Sequence, residues 1–140
     1  MVRRIRRMAW IWQLANEMPF YHHLGIELKK LERGRAEIRL RVEKHLMQQA
    51  GVAHGGVTAA MVDSAVGLAL CTLLKPRTLI TTIELNLNYI TPAKPGLLIA
   101  SGRILQKGKR IAVGEAEVTD SHQALIAKAL VTYMILSNTT

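Results

Sequence analysis

Cysteine is almost missing from this chain of 140 residues, in which Cys71 stands alone. One thiol excludes an intrachain disulfide and makes a reducing cytoplasm the expected compartment. Its place inside an apolar run reads as that of a small core residue. Acids are scarce as well, 10 Asp and Glu against 19 Lys and Arg, which leaves a formal net charge of +9. That balance suits acidic partners, whether nucleic acid, an anionic surface or a phosphate-bearing small molecule, and does not choose among them. Several catalytic signatures are absent. There is no Gly-x-Ser-x-Gly elbow and no Gly-Lys-Ser/Thr phosphate loop. His22, His23, His45 and His122 lack metal-ligand spacing with any cysteine or acid pair, so no metal site is expected. No repeat, low-complexity tract or linker divides the chain, and one domain is the default at this length.

What is present is mostly apolar. Hydrophobic residues make up 49% and charged residues 21%, a globular composition with enough excess apolar surface to suggest burial between subunits. Residues 1–19 carry Arg3, Arg4, Arg6 and Arg7 and no acid before Glu17. They read as a basic amphipathic helix that ends before Pro19, leaving 20–140 as the single folded domain. Trp10 and Trp12 are spaced for a packed helix rather than for base stacking, so no nucleic acid is expected. The one long apolar run, from Gly55 to Leu74, could span a bilayer on length alone. Its central Asp63, however, costs about 3 kcal/mol on insertion scales, and small polar residues fill much of the rest, so no transmembrane segment is expected.

Strand patterns surround that run. Ile26 to Leu31 reads as a strand, followed by a turn at Glu32, Arg33 and Gly34. Ala36, Ile38, Leu40 and Val42 then alternate with Arg35, Glu37, Arg39 and Arg41, which is the signature of a half-buried antiparallel strand. Lys44 to Ala53 has no period and reads as a loop. Within the apolar run, Val57, Ala60, Met61, Ser64, Leu68 and Cys71 share one helical face, and the other positions are also nearly uncharged. A helix apolar all round requires a wrapper. Residues 79–90, with Ile83, Leu85, Leu87 and Tyr89 on one face and Glu84, Asn86 and Asn88 on the other, open a series of four strands that continues at 97–105, 110–119 and 124–136. The fold class is therefore α+β, one antiparallel sheet curling around one long central helix.

The chemistry gathers on that helix. His54-Gly55-Gly56 at its start allows close approach to the backbone, and the first amides of a helix are unpaired and lie at its positive end, which makes an anion or oxyanion site. Asp63 is a lone carboxylate that is costly to bury without a partner or a use. At 1.5 Å rise per residue it lies about 12 Å along the axis from Gly55. One helix cannot bring both groups to one carbonyl, whereas a second copy packed antiparallel can, so the spacing favours a dimer.

The set Gln48, Gly51, His54-Gly55-Gly56, Asp63, Asn86, Tyr89 and Pro92-Ala93-Lys94 closely resembles the hotdog-fold acyl-CoA thioesterases of the PaaI-like and 4-hydroxybenzoyl-CoA thioesterase group, over about residues 20–136. The resemblance implies hydrolysis of a small or medium acyl-CoA, aromatic acyl groups included, to free acid and coenzyme A. It implies no cofactor, because coenzyme A is part of the substrate. The Gly55 amide would polarise the thioester carbonyl, and Asp63 of the partner subunit would act as general base or as nucleophile. Gln48 would orient the carbonyl or the water, His54 would steady the glycine loop, and Thr82 would position the water. Another subgroup carries that hydroxyl one turn after the carboxylate, where this chain has Gly67. Gly56, Met47 and Met61 are expected around the substrate, and Lys94 and Arg110 near the coenzyme A phosphates. The assembly implied is a homo-oligomer, a dimer or a dimer of dimers such as a homotetramer. The rival readings are an acyl-CoA-binding hotdog protein that senses without hydrolysing, an anionic-surface or nucleic-acid binder driven by the arginine tail, and a hotdog dehydratase, whose usual His-led hydration motif is not visible here.

Overall fold

The computed structural model describes residues 2–136. Helix α1 spans Val2–Glu17 and α2 spans Pro19–Leu24; strands β1 and β2 cover Glu27–Glu32 and Arg35–Val42; the long helix α3 is Gly55–Cys71; β3 to β6 are Ile80–Tyr89, Gly96–Lys107, Ile111–Asp120 and Leu125–Ile135. Pro19 opens α2, where its missing N–H would be unpaired in any case. Along α1, Ile11 and Ala15 are buried with Met8 packed beside them, while Arg3 and Arg6 are exposed. Met1, residues 137–140 and the side chains of Val2, Arg4, Ile5 and Arg7 lie outside what the structure describes.

All six strands join one antiparallel sheet in the order β1-β2-β4-β5-β6-β3. Helix α3 lies across it, packed against β2, β4 and β5 and more lightly against β6 and β3. On β2 the alternation of the sequence becomes burial, with Ala36, Ile38, Leu40 and Val42 all in the core. Glu37 on its charged face pairs with Lys30 of β1, and further cross-strand ion pairs, Arg103–Glu115 and Lys128–Glu117, follow on the neighbouring strands; such solvent-exposed pairs add little to stability. The stabilising term is the burial of α3, whose Met61, Val62, Ala65, Val66, Ala69 and Leu70 retain no exposure.

The helix sits so close to the sheet that two strand positions have no room for a side chain. A Cβ built on Gly102 would stand 2.6 Å from the Ala65 carbonyl carbon, and one on Gly114 would stand 2.5 Å from Val66 Cγ1. The Gly102 neighbour is helix backbone, which cannot swing aside. We therefore expect Gly102→Ala to destabilise the fold by about 3 kcal/mol, the upper end for overpacking, read as a lower urea midpoint at unchanged slope.

At β3 the structure departs from simple alternation. Thr82 pairs with Tyr133 and Glu84 with Thr132, so Ile83 is an extra, bulged residue, 51% exposed. Reading 79–90 as one unbroken alternation put Ile83 on the same face as Leu85. The bulge removes it from that face and moves Thr82 to the helix-facing side, because one inserted residue inverts the facing of everything before it.

Candidate active site

The site begins in the loop that enters α3. A 3-10 turn at Lys44–Leu46 is followed by a bridge between Met47 and Ala53, closed by Gln48 N–H to the Val52 carbonyl at 2.9 Å. Two further bonds pin the loop: Ala53 N–H to the Ala93 carbonyl and His54 N–H to the Leu46 carbonyl, both 2.8 Å. His54 then caps the helix, its Nδ1 accepting the Gly56 N–H at 2.9 Å. A ring nitrogen that accepts is unprotonated, so the neutral ring carries its proton on Nε2.

This cap leaves one amide over. The Gly56 N–H is spent on the His54 ring, while among the described residues nothing accepts from the Gly55 N–H, which sits at the first helical position. It is an unpaired donor at the positive end of the helix. The Gly55 carbonyl accepts the Tyr89 hydroxyl at 2.6 Å, and a Cβ on Gly55 would lie 3.0 Å from that same oxygen. A tyrosine from β3 thus braces the turn that presents the amide. Around it is a cleft of about 510 Å³ bordered by Gln48, His54, Gly55, Tyr89, Pro92 and Ile126.

Asp63 is half-buried two helical turns on. Its Oδ1 accepts the Thr82 hydroxyl at 2.8 Å, and the Tyr133 hydroxyl lies 2.6 Å from both that oxygen and the Asp63 carbonyl. No Lys or Arg forms an ion pair with it among the described residues. Burial first, and then the Asp63 charge, push the Tyr133 phenol well above its ordinary range, so it remains a protonated donor. Nearby, burial raises Tyr21 to about 12. It raises the Cys71 thiol to about 12 as well, which keeps that thiol neutral and without a nucleophile's role.

The remaining candidates are distributed unevenly. Gln48 borders the cleft, and its side-chain oxygen accepts the Ala50 N–H, which leaves its NH2 as the group it can offer a substrate. Met47 is half-buried at the bridge, and Met61 is wholly inside the core. Lys94 is exposed in the turn before β4, beside Ala93 of the cleft. Arg110 is not brought to the cleft of its own chain. Its carbonyl accepts the Ile135 N–H, two residues past Tyr133, on the Asp63 side of the sheet. The contact that sequence reading missed is Tyr133 on Asp63. Its trace in the sequence is Gly67, one turn after the carboxylate.

Among the described residues no three His, Cys, Asp or Glu side chains could hold a metal ion together, and no helix is long and apolar enough to cross a membrane. A six-stranded antiparallel sheet wrapped around one long helix is the hotdog fold. Residues 50–127, from the end of the entry loop through α3 and β3 to β5 into the start of β6, match the model of the Thioesterase superfamily. The chain belongs to that family of thioester hydrolases. Among its relatives, the medium/long-chain acyl-CoA thioesterase YigI of Escherichia coli K12 is 29% identical over 133 residues, 84% of this chain and 86% of that protein. The 1,4-dihydroxy-2-naphthoyl-CoA hydrolase of Listeria monocytogenes is 28% identical over 109 residues, 78% of this chain and 89% of its own. The crystal structure of a thioesterase family protein from Silicibacter pomeroyi superposes with a TM-score of 0.86 at 25% identity, covering 92% of this chain and 98% of that one.

Proposed function

We propose that this protein is a cytoplasmic acyl-CoA thioesterase that hydrolyses a small or medium acyl-CoA, aromatic acyl groups included, at sites shared between two copies of the chain. The observation that carries this reading is the open side of α3. The unpaired Gly55 amide and Asp63 both lie along the one incompletely covered stripe of the helix, with Gly56, Ala59 and Ala60 between them, about 12 Å apart by helical rise. Two such stripes packed antiparallel about a two-fold axis set Gly55 of each copy opposite Asp63 of the other. The edge strand β3 supports the same pairing. It lies at the edge of the sheet and exposes Ile83 and Tyr89, an edge that soluble proteins usually cover. Further pairing of dimers into a tetramer is compatible with this geometry.

At such a site the Gly55 N–H donates to the thioester carbonyl oxygen and stabilises the charge that develops there. The Asp63 carboxylate takes a proton from water as the hydroxyl oxygen bonds to the carbonyl carbon, or it attacks that carbon itself and water then hydrolyses the mixed anhydride. In either route the C–S bond breaks, the sulfur takes up a proton, and free acid and coenzyme A leave. In the paired arrangement, Arg110 on the Asp63 side of one copy and Lys94 beside the cleft of the other approach the same substrate, where they would meet its phosphates.

A complementation experiment tests the shared site. Gly55→Pro removes the amide and Asp63→Asn removes the carboxylate, and each alone is expected to be inactive. A heterodimer purified through two different tags holds one intact site of two and should regain about half of the wild-type activity in a thiol-release assay. Heterodimers as inactive as either parent would place the whole site in one chain and overturn the reading. A wild-type protein that binds a panel of acyl-CoAs tightly and releases no thiol would instead identify a sensor.

A further inference from the structure

The Asp63 carboxylate is held on one side only, and its holder enters through a gap in the helix. Tyr133 projects from β6, is buried, and reaches α3 between Asp63 and Gly67. A Cβ on Gly67 would sit 2.8 Å from the Tyr133 hydroxyl oxygen and 3.3 Å from the ring carbon that bears it. The phenol therefore occupies the space that any side chain at position 67 would fill. Its single proton has two acceptors at 2.6 Å, the Asp63 carbonyl and Oδ1. The carbonyl already receives the Gly67 N–H in the ordinary pattern of the helix, and a carboxylate oxygen is the stronger acceptor, so the proton goes to Oδ1.

Thr82 donates to the same oxygen from the other strand, at 2.8 Å, whereas Oδ2 has no donor among the described residues. The two carboxylate oxygens are thereby made unequal. Two hydroxyls on adjacent strands anchor Oδ1, and Oδ2 is left for chemistry. We infer that Tyr133 is a positioning residue for catalysis, with Gly67 as the slot that admits it: its hydroxyl fixes the rotation of the Asp63 carboxylate so that Oδ2 is the oxygen presented to water or to the thioester. The inference rests on the proposed function and adds to it a residue that neither the catalytic set nor the cleft contains.

The test is steady-state kinetics by thiol release on Tyr133→Phe, Gly67→Ser and the double variant, with Asp63→Asn alongside. Tyr133→Phe retains the buried ring and should lower kcat at least tenfold with KM within twofold, since misplacement of a reacting group by about 1 Å costs up to about 100-fold. Gly67→Ser alone forces its side chain onto the phenol and should also lower kcat. Combined with Tyr133→Phe it should raise kcat at least threefold above that of Tyr133→Phe, because the serine hydroxyl, one turn from Asp63, enters the vacated space. Gly67→Ala in the Tyr133→Phe background fills much of the same space without a donor and should leave kcat low, which separates the hydrogen bond to Asp63 from packing. A Tyr133→Phe protein with wild-type kcat, or one whose defect lies in KM alone, overturns the inference. Were Asp63→Asn inactive in that experiment, the proposed function would stand without it; an active Asp63→Asn would remove both.

Discussion

Asp63→Asn is expected to lower kcat by about 1,000-fold, within the range for loss of a general base, and to leave the fold as it was. The amide keeps an acceptor oxygen where Oδ1 now receives Thr82 and Tyr133, so the two strand hydroxyls lose no partner and α3 keeps its seat. What is lost is the negative charge, the only one on α3. Because no Lys or Arg pairs with Asp63 among the described residues, no cation is stranded by the change. Thiol release from acyl-CoA, followed together with the thermal transition, checks both halves. Near-wild-type hydrolysis by this variant would exclude Asp63 from the reaction.

Gly55→Pro is the counterpart at the other end of the helix, with an expected loss of about 100- to 1,000-fold in kcat, the measured scale for one oxyanion donor. Proline is tolerated at the first helical position and deletes the amide hydrogen placed there. The preceding His54 has φ −61° and ψ 138°, the extended conformation that a following proline requires. The new Cβ would meet the end of the Tyr89 ring, 3.0 Å from its hydroxyl oxygen and 3.1 Å from Cζ, and the end of a phenol can give by a few tenths of an ångström. Gly55→Ala is the control. It brings the same Cβ and keeps the N–H, so the difference between the two variants isolates the amide. Equal activities would show that the Gly55 amide does not carry the reaction.

Much of this was legible in the chain itself. Amphipathic alternation located β2, and the glycine pair before an apolar helical run located α3. The distance between Gly55 and Asp63 followed from helical rise alone. These are properties of neighbours in sequence, governed by local periodicity and backbone geometry. The His54 cap belongs with them, since its ring reaches only two residues ahead.

Other features required the fold. Alternation along β3 predicts Thr82 on the face opposite Leu85; only the bulge at Ile83 turns it toward Asp63, and a bulge is fixed by pairing with β6. Arg110, grouped with Lys94 as a basic residue, lies on the Asp63 side, because hairpin geometry sets its position and charge does not. Tyr133 stands 70 residues from Asp63, too far along the chain for any periodicity to join them. The sequence by itself determined the helix, its unpaired amide and its isolated carboxylate, since these depend on residues within a few turns of one another. The tertiary structure alone decided which hydroxyls hold that carboxylate and which glycines must make room, because those contacts exist only where the sheet closes on the helix.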